Sequence, residues 1–362
     1  MKILLLEPFM GGSHAAWAKG WMRHSRHSFE LLHLPARHWK WRMHGAAVTL
    51  AQQFLDIGFQ PDLIVATDML DLSTFLSLTR NKSAQIPVAL YCHENQLTYP
   101  WSPTDQDIPL KRDNHYAFIN YTSALSADQI FFNSHYHQKS FLGALPGFLR
   151  SFPDKKNLDT VDQLTCKSNV LPLGMDLSGP RTSLHSPNDS PVLLWNHRWE
   201  YDKGPEEFFQ TLITLQEEGL DFRLVVLGES YGKRPPIFAH AQEILSDRIL
   251  HWGYSPDAYR DWLARADCLP VTSHQDFFGG SVVEAIYHNC WPLLPDRLAY
   301  PEHIPVEHRE AVLYGPEQFK DKLKAYLMTP PSISTRRWVE HYDWPQLVDQ
   351  YDDAMESVKR MV

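Results

Sequence analysis

The stretch Lys2–Trp17, KILLLEPFMGGSHAAW, decides how the fold is read. Lys2–Glu7 is a continuous apolar run without polar alternation, as in a parallel strand covered on both faces. Gly11-Gly12-Ser13-His14 interrupts it, and the Ala/Trp-rich segment Ala15–Met22 has helical character. Strand, glycine turn and helix form one unit of a doubly wound sheet. The unit repeats outward: a strand near Phe29–Leu34, a helix over Ala46–Phe54, and short buried strands at Pro61–Thr67 (PDLIVAT), Pro87–Tyr91 (PVALY) and Asp128–Phe132 (DQIFF).

Gly174–Pro191 (GMDLSGPRTSLHSPNDSP) is rich in Gly, Pro and Ser and reads as a linker. The alternation then restarts with strand Val192–Trp195, helix Pro205–Glu218, strand Phe222–Leu227 ending at Gly228, and strand Ile249–Trp252. Helix Tyr259–Ala266, strand Cys268–Thr272, helix Ser281–His288 and strand Trp291–Leu294 complete it. The expectation is an α/β protein with two Rossmann-like domains, over 1–175 and 190–325. A helical tail, 326–362, is expected to pack back on the first. Ligands of such sheets bind beyond the carboxyl ends of the strands, which places the expected active site in a cleft between the domains.

Composition excludes several function classes. The 362 residues hold 43% hydrophobic and 21% charged side chains, enough to bury two cores and too few charges for a disordered chain. The net charge of −9 excludes binding of nucleic acid by the whole surface, so any RNA contact needs a local basic patch. Cys92, Cys166, Cys268 and Cys290 form no CxxC pair and no zinc spacing. They read as isolated buried thiols of a reducing compartment. The N-terminal apolar run is too short and too soon broken by Gly-Gly for a signal peptide. No other run approaches a membrane span. A cytoplasmic protein without membrane contact is expected.

Five constellations carry chemistry. Asn196–Pro205 (NHRWEYDKGP) lies between a strand and a helix, and its Arg198 and Lys203 suit the oxygens of a departing diphosphate. A solvated charged loop would look the same in isolation. Asp276–Ala285 (DFFGGSVVEA) joins an acidic residue, a glycine turn and a helix start to a second carboxylate eight positions on. Gly279 and Gly280, with Phe278 and Ser281 beside them, let backbone N–H groups approach phosphate at a helix N-terminus. Asp276 suits sugar hydroxyls, and Glu284 a ribose diol. Gly11 and Gly12 are expected near the donor, as is Gly228 after its strand, and Ser13 and His14 near the acceptor.

Tyr91–Gln96 (YCHENQ) places His93, Glu94 and Asn95 directly after a buried strand, where they suit hydroxyl binding; a structural histidine is the competing reading. Asn133-Ser134 is a weaker version of the same pattern. Arg37–His44 (RHWKWRMH) alternates basic and aromatic residues. Arg37, Lys40 and Arg42 suit phosphates, while Trp39 and Trp41, on one side of an extended segment, suit unstacked bases. Packing of the two tryptophans in a core is the alternative. The chain has no GxxxxGK[ST], GxSxG or HExxH motif.

Arg198 and Lys203 followed by Asp276-x7-Glu284 resemble the donor signature of retaining GT-B glycosyltransferases of family 4. EPFMGGSH, LPARHWKWR, YCHENQLTYP, WNHRWEYDKGPEEFF, VLGES, HWGY and DFFGGSVVEA narrow the resemblance to the tRNA-queuosine α-mannosyltransferases, over residues 1 to about 345. That resemblance implies a GT-B fold, GDP-mannose as donor, and queuosine at the wobble position of tRNA(Asp) as acceptor. It implies diphosphate binding by Arg198 and Lys203, ribose binding by Glu284, and phosphate contact at Gly279 and Gly280. Asp276 stands where the family usually has Glu, one methylene longer. His93 is expected to hydrogen-bond the sugar. No metal or other cofactor is expected, because cations and a helix N-terminus replace a divalent ion. The alternatives are a transferase acting on a small glycan, nucleoside or lipid-linked acceptor, and a binding protein without turnover.

Overall fold

The computed structural model describes residues 1–102, 105, 107, 114–177, 189–229 and 234–361. The chain divides into two compact units: unit 1 is Met1–Asp176 with Tyr342–Val362, and unit 2 is Leu177–His341. Residues 178–188 of the expected linker lie outside the described residues, as does Ser230 of the VLGES phrase.

Unit 1 runs β1 (Lys2–Met10), α1 (Gly12–His24), β2 (Ser28–Pro35), α2 (Trp39–Asp56), β3 (Leu63–Thr67) and α3 (Leu72–Ser83). It continues with β4 (Val88–Cys92), α4 (Asn114–Ser126), β5 (Gln129–Phe132), α5 (His135–Arg150), α6 (Thr160–Cys166) and β6 (Ser168–Val170). The sheet is parallel in the order β2-β1-β3-β4-β5-β6. Ile3–Leu6, Leu63–Ala66 and Val88–Leu90 are almost wholly buried, which is why these strands read as unbroken apolar runs. Asp71 caps α3 through Thr74 N at 2.9 Å, and Ser134 caps α5 through His137 N at 3.0 Å.

Unit 2 runs β7 (Val192–Trp195), α7 (Pro205–Glu217), β8 (Arg223–Val226), α8 (Ile237–Ile244), β9 (Ile249–Trp252) and α9 (Pro256–Leu263). Then follow β10 (Cys268–Pro270), α10 (Gly280–Tyr287), β11 (Trp291–Pro295), α11 (Arg309–Val312), β12 (Leu313–Tyr314) and α12 (Phe319–Met328). Its parallel sheet has the order β12-β11-β10-β7-β8-β9. Together the two sheets form the two-domain α/β fold of the GT-B class.

The last helix, α13 (Trp344–Met361), belongs to unit 1. Trp344 is fully buried against Gly20 and Gly174, where an added Cβ would fall 2.0 and 2.4 Å from the indole. Tyr351 Oη accepts from Trp17 Nε1 at 3.0 Å and donates to the Pro172 carbonyl at 2.7 Å. Asp352, 1% exposed, accepts from Ser25 Oγ at 2.6 Å and from Arg26 N at 2.8 Å.

Three sequence expectations are corrected. The returning tail begins at Tyr342 rather than at 326, and residues 326–341 stay in unit 2, where Thr335 Oγ1 donates to the Ile286 carbonyl at 2.6 Å. Trp39-Lys40-Trp41 is the first turn of α2 and not an extended segment. Cys166, at the end of the short helix α6, is exposed rather than buried. Among the described residues, no helix is long and apolar enough to cross a membrane.

Candidate functional site

Two clusters stand at strand ends, one in each unit. In unit 2, β10 and β7 are parallel neighbours, so the loops after both leave the same edge of the sheet. The chain proceeds from β7 to β8 on one side and reaches β10 on the other. The edge between β7 and β10 is therefore a topological switch point, where such sheets bind ligands. The Asn196–Gly204 and Val271–Gly279 loops meet there.

Lys203 is 6% exposed. Its Nζ donates to Asp276 Oδ1 at 2.9 Å and to the Gln275 carbonyl at 2.7 Å, with Asp202 at 3.3 Å. Burial opposes its charge, but Asp276 and Asp202 outweigh that and raise its pKa. Burial likewise opposes ionisation of Asp276, yet Lys203 and His197 bring its pKa below the usual value. Both groups are therefore charged at neutral pH. Tyr300 donates to the other Asp276 oxygen. Arg198, half exposed, lies 3.3 Å from Glu200 and 4.0 Å from Asp202.

Gly279 is the N-cap of α10 at φ 86°, a left-handed conformation that costs glycine nothing. An added Cβ would stand 3.0 Å from the Tyr300 ring. Residues Gly279–Ser281 thus open the first turn of an eight-residue helix, whose N–H groups favour anions. Asn196 Nδ2 donates to the Ser281 carbonyl at 2.8 Å, and His197 Nδ1 lies 3.1 Å from Ser281 Oγ. His197 Nε2 and Asn196 Oδ1 are buried with no protein partner. Burial lowers the pKa of His197 to about 4, so its imidazole is neutral. Glu284 accepts from Tyr259 Oη at 2.6 Å, and burial raises its pKa. Gly228, at φ 100°, packs against the His197 carbonyl, where a Cβ would lie 1.9 Å away. Phe278 is buried, and its carbonyl accepts from His303 Nε2 at 2.7 Å.

In unit 1 the second cluster forms at the ends of three neighbouring strands, β1, β3 and β4. Glu7, fully buried near the end of β1, has Oε2 3.1 Å from His14 Nδ1 and Oε1 accepting from Phe9 N at 2.8 Å. The His14 ring lies 4.0 Å from the His93 ring. Asp68, just after β3, accepts from His93 N at 2.6 Å. Burial would lower the His14 pKa, but Glu7, Asp68 and Glu94 raise it to about 9. Burial puts His93 well below the ordinary histidine value, so it is neutral. Its Nε2 has no protein partner, and neither has Asn95 Nδ2. Gln96 Nε2 donates to Glu94 Oε1 at 2.7 Å. Gly11 and Gly12 open α1 beside this cluster, Gly12 at φ 51°. Ser13 sits in the first turn of α1 and is exposed.

The basic-aromatic segment divides. Lys40 Nζ bonds Asp105 at 2.6 Å and Asp107 at 2.5 Å, 5.4–5.9 Å from the ring centroids of Trp39, Trp101 and Tyr116. Trp39 packs on Tyr116. Trp41 is 63% exposed, Arg37 is exposed, and Arg42 is half-buried with Nε donating to the Pro35 carbonyl at 3.1 Å.

The structure brings Arg198, Lys203, Asp276 and Gly279–Glu284 to one edge of the unit 2 sheet, and His14, His93 and Glu94 together in unit 1. Glu7, Asp68, Tyr259 and Tyr300 join these candidate clusters and were missed by sequence reasoning. Two had a signal: Glu7 is a carboxylate inside an otherwise apolar strand, and Asp68 directly follows one.

Residues 181–342 match the model for group 1 glycosyl transferases, which makes the chain a glycosyltransferase. Sucrose-phosphate synthase from Thermosynechococcus elongatus has a similar fold, with TM-score 0.72 and 14% identity, all of both chains being covered. The Anabaena protein HepE in complex with UDP has TM-score 0.64 and 15% identity, covering 99% of this chain and 100% of that one. Residues 2–175 match the model for the N-terminal region of tRNA-queuosine alpha-mannosyltransferase. A Drosophila melanogaster tRNA-queuosine alpha-mannosyltransferase is 33% identical over 318 residues, 84% of this chain and 82% of that protein. The chain belongs to the tRNA-queuosine alpha-mannosyltransferase family.

Proposed function

We propose that this chain transfers mannose from GDP-mannose to queuosine at the wobble position of tRNA(Asp), with retention at the anomeric carbon. The observation that carries the donor half is the buried, charged Lys203–Asp276 pair beside the glycine-opened start of α10. Lys203 and Arg198 neutralise the pyrophosphate as the bond from C1 to its oxygen breaks. The first-turn N–H groups of α10 take the remaining phosphate oxygens. Asp276, fixed by Lys203 and Tyr300, accepts sugar hydroxyls, and the Tyr300 bond steadies the carboxylate of this shorter side chain. Glu284 accepts the ribose diol, with Tyr259 keeping its second contact.

The acceptor hydroxyl attacks C1 from the face the pyrophosphate leaves, and its proton passes to the departing phosphate oxygen. Donor binding in unit 2 needs no metal on this reading, since fixed cations supply the charge. Asn95, with a buried Nδ2 that has no protein partner, suits acceptor hydroxyls. Exposed Arg37 and Trp41, with Arg42, offer phosphate and base contacts to tRNA, while Lys40 is held by Asp105 and Asp107. The family similarity to the fruit-fly protein supports the acceptor, and a cytoplasmic place fits an enzyme acting on tRNA.

The test is incubation of the protein with GDP-mannose and queuosine-containing tRNA(Asp), followed by nucleoside mass spectrometry. A hexose-sized gain on queuosine is the expected result. A gain on another nucleoside, or hydrolysis of the donor with no tRNA product, rejects the acceptor.

A further inference from the structure

We propose that Glu7, His14 and His93 in unit 1 bind a divalent transition metal of the zinc class. This is a site separate from the donor chemistry of unit 2 and does not depend on it. The three residues come from β1, α1 and the loop after β4, and one ligand atom of each lies within 4.8 Å of the others. Two imidazole nitrogens and a carboxylate oxygen form a donor set suited to zinc, cobalt or nickel rather than to magnesium or calcium. Glu7 Oε2 and His14 Nδ1 are 3.1 Å apart; the metal replaces the proton held between them, which leaves to solvent, and with metal bonds of about 2.1 Å the two atoms would subtend roughly 95°, between the octahedral and tetrahedral values.

Three further observations separate this cluster from an ordinary hydrogen-bonded pair. All three side chains are more than nine-tenths buried. His93 keeps a buried Nε2 without any protein partner, a lone pair or N–H that the fold leaves unsatisfied. Glu7 Oε1 accepts from Phe9 N at 2.8 Å, which fixes the carboxylate with Oε2 turned toward His14.

The supporting contacts also suit a metal site. Asp68 fixes the His93 backbone N–H, and Asn133 Nδ2 donates to the His93 carbonyl at 2.8 Å. Trp17 lies edge-on to the His93 ring at 4.7 Å and limits its rotation. Such neighbours orient ligating histidines. Three protein ligands leave a coordination position open, as in zinc sites that engage a hydroxyl or water.

The test uses untagged full-length protein, since the chain's 19 histidines make adventitious binding the competing outcome. The protein is stripped with chelator, then titrated with Zn2+ and separately with Co2+. Metal content is read by plasma mass spectrometry, and coordination by the visible cobalt bands. The expected result is about one tightly held ion per chain with a tetrahedral or five-coordinate cobalt spectrum. Glu7→Gln and His93→Ala are expected to weaken binding by more than the roughly 10–100-fold that removal of a supporting neighbour costs. Native-like hydrogen-exchange protection of β1, β3 and β4 reports that unit 1 of each variant is folded. No tight ion in the native protein, or an ion held equally well by both variants, overturns the proposal and leaves the protonated His14–Glu7 pair as the whole of the cluster.

Discussion

The two sites are built in different ways. The unit 2 site comes from two continuous phrases, Asn196–Gly204 and Asp276–Glu284, each a strand end, a loop and a helix start. The unit 1 cluster takes one or two residues from each of three strand ends. Glu7 lies more than eighty residues from His93 in the chain, and only the order β1-β3-β4 brings them together. A site made of contiguous phrases can be read from sequence; one made by sheet order cannot. The units also close differently. Unit 2 is one continuous stretch of chain, whereas unit 1 needs the last helix of the chain.

The largest expected effect probes that second difference. Trp344→Ala empties the space between Gly20 and Gly174 and should cost unit 1 about 3–5 kcal/mol. Denaturant unfolding followed by hydrogen exchange would show protection lost in β1–β4 while GDP still protects unit 2. Equal loss in both units would erase the contrast between them.

Next comes the tRNA surface. Trp41→Ala should cost about 1–3 kcal/mol in tRNA affinity if a base stacks on it. Arg37→Ala with Arg42→Ala should make the salt slope shallower by about 0.7 for each phosphate of single-stranded RNA that is no longer neutralised. Filter binding across a salt series measures both, and GDP affinity should stay unchanged. A Lys40→Ala variant with a larger effect on the slope would show that the Asp105–Lys40–Asp107 arrangement opens when RNA binds.

The smallest effect concerns pH in unit 2. Burial lowers His197 and His303 to about 4. Each therefore contributes stability that is fully present above the unfolded histidine value near 6.5 and is lost as pH falls toward 4. Thermal unfolding should show a falling Tm across that window. His303→Gln, which can still donate to the Phe278 carbonyl, should flatten the fall. An unchanged acid slope in that variant would place the sensitivity elsewhere.

Much of the fold is legible because buried parallel strands are apolar throughout. Val192–Trp195 and Ile249–Trp252 can be read to the residue, and most others within one or two. Trp39–Trp41 misleads because the α2 start has no capping side chain: His38 precedes it at φ 51° without a cap hydrogen bond. The alternation W-K-W-R therefore looks like a strand. In the site, Lys203 and Asp276 are legible from type and position, but not that they pair. Tyr259 and Tyr300 are illegible, because a tyrosine's partner depends on tertiary contact and leaves no local pattern. The tail boundary is hidden because Thr335 and Asn289 tie residues 334–336 to unit 2 by hydrogen bonds that no periodicity announces.

The most direct measurement is calorimetric titration of GDP into the native protein and a Lys203→Met/Asp276→Asn variant. The double change removes the paired cation and anion together, and buried Asp202 keeps Arg198 at 4.0 Å as its counter-charge. The account predicts GDP bound roughly 10–100-fold more weakly by the variant, the worth of a lost charged hydrogen bond, with Glu7→Gln binding GDP as the native protein does. Native-like GDP affinity in the double variant would contradict it.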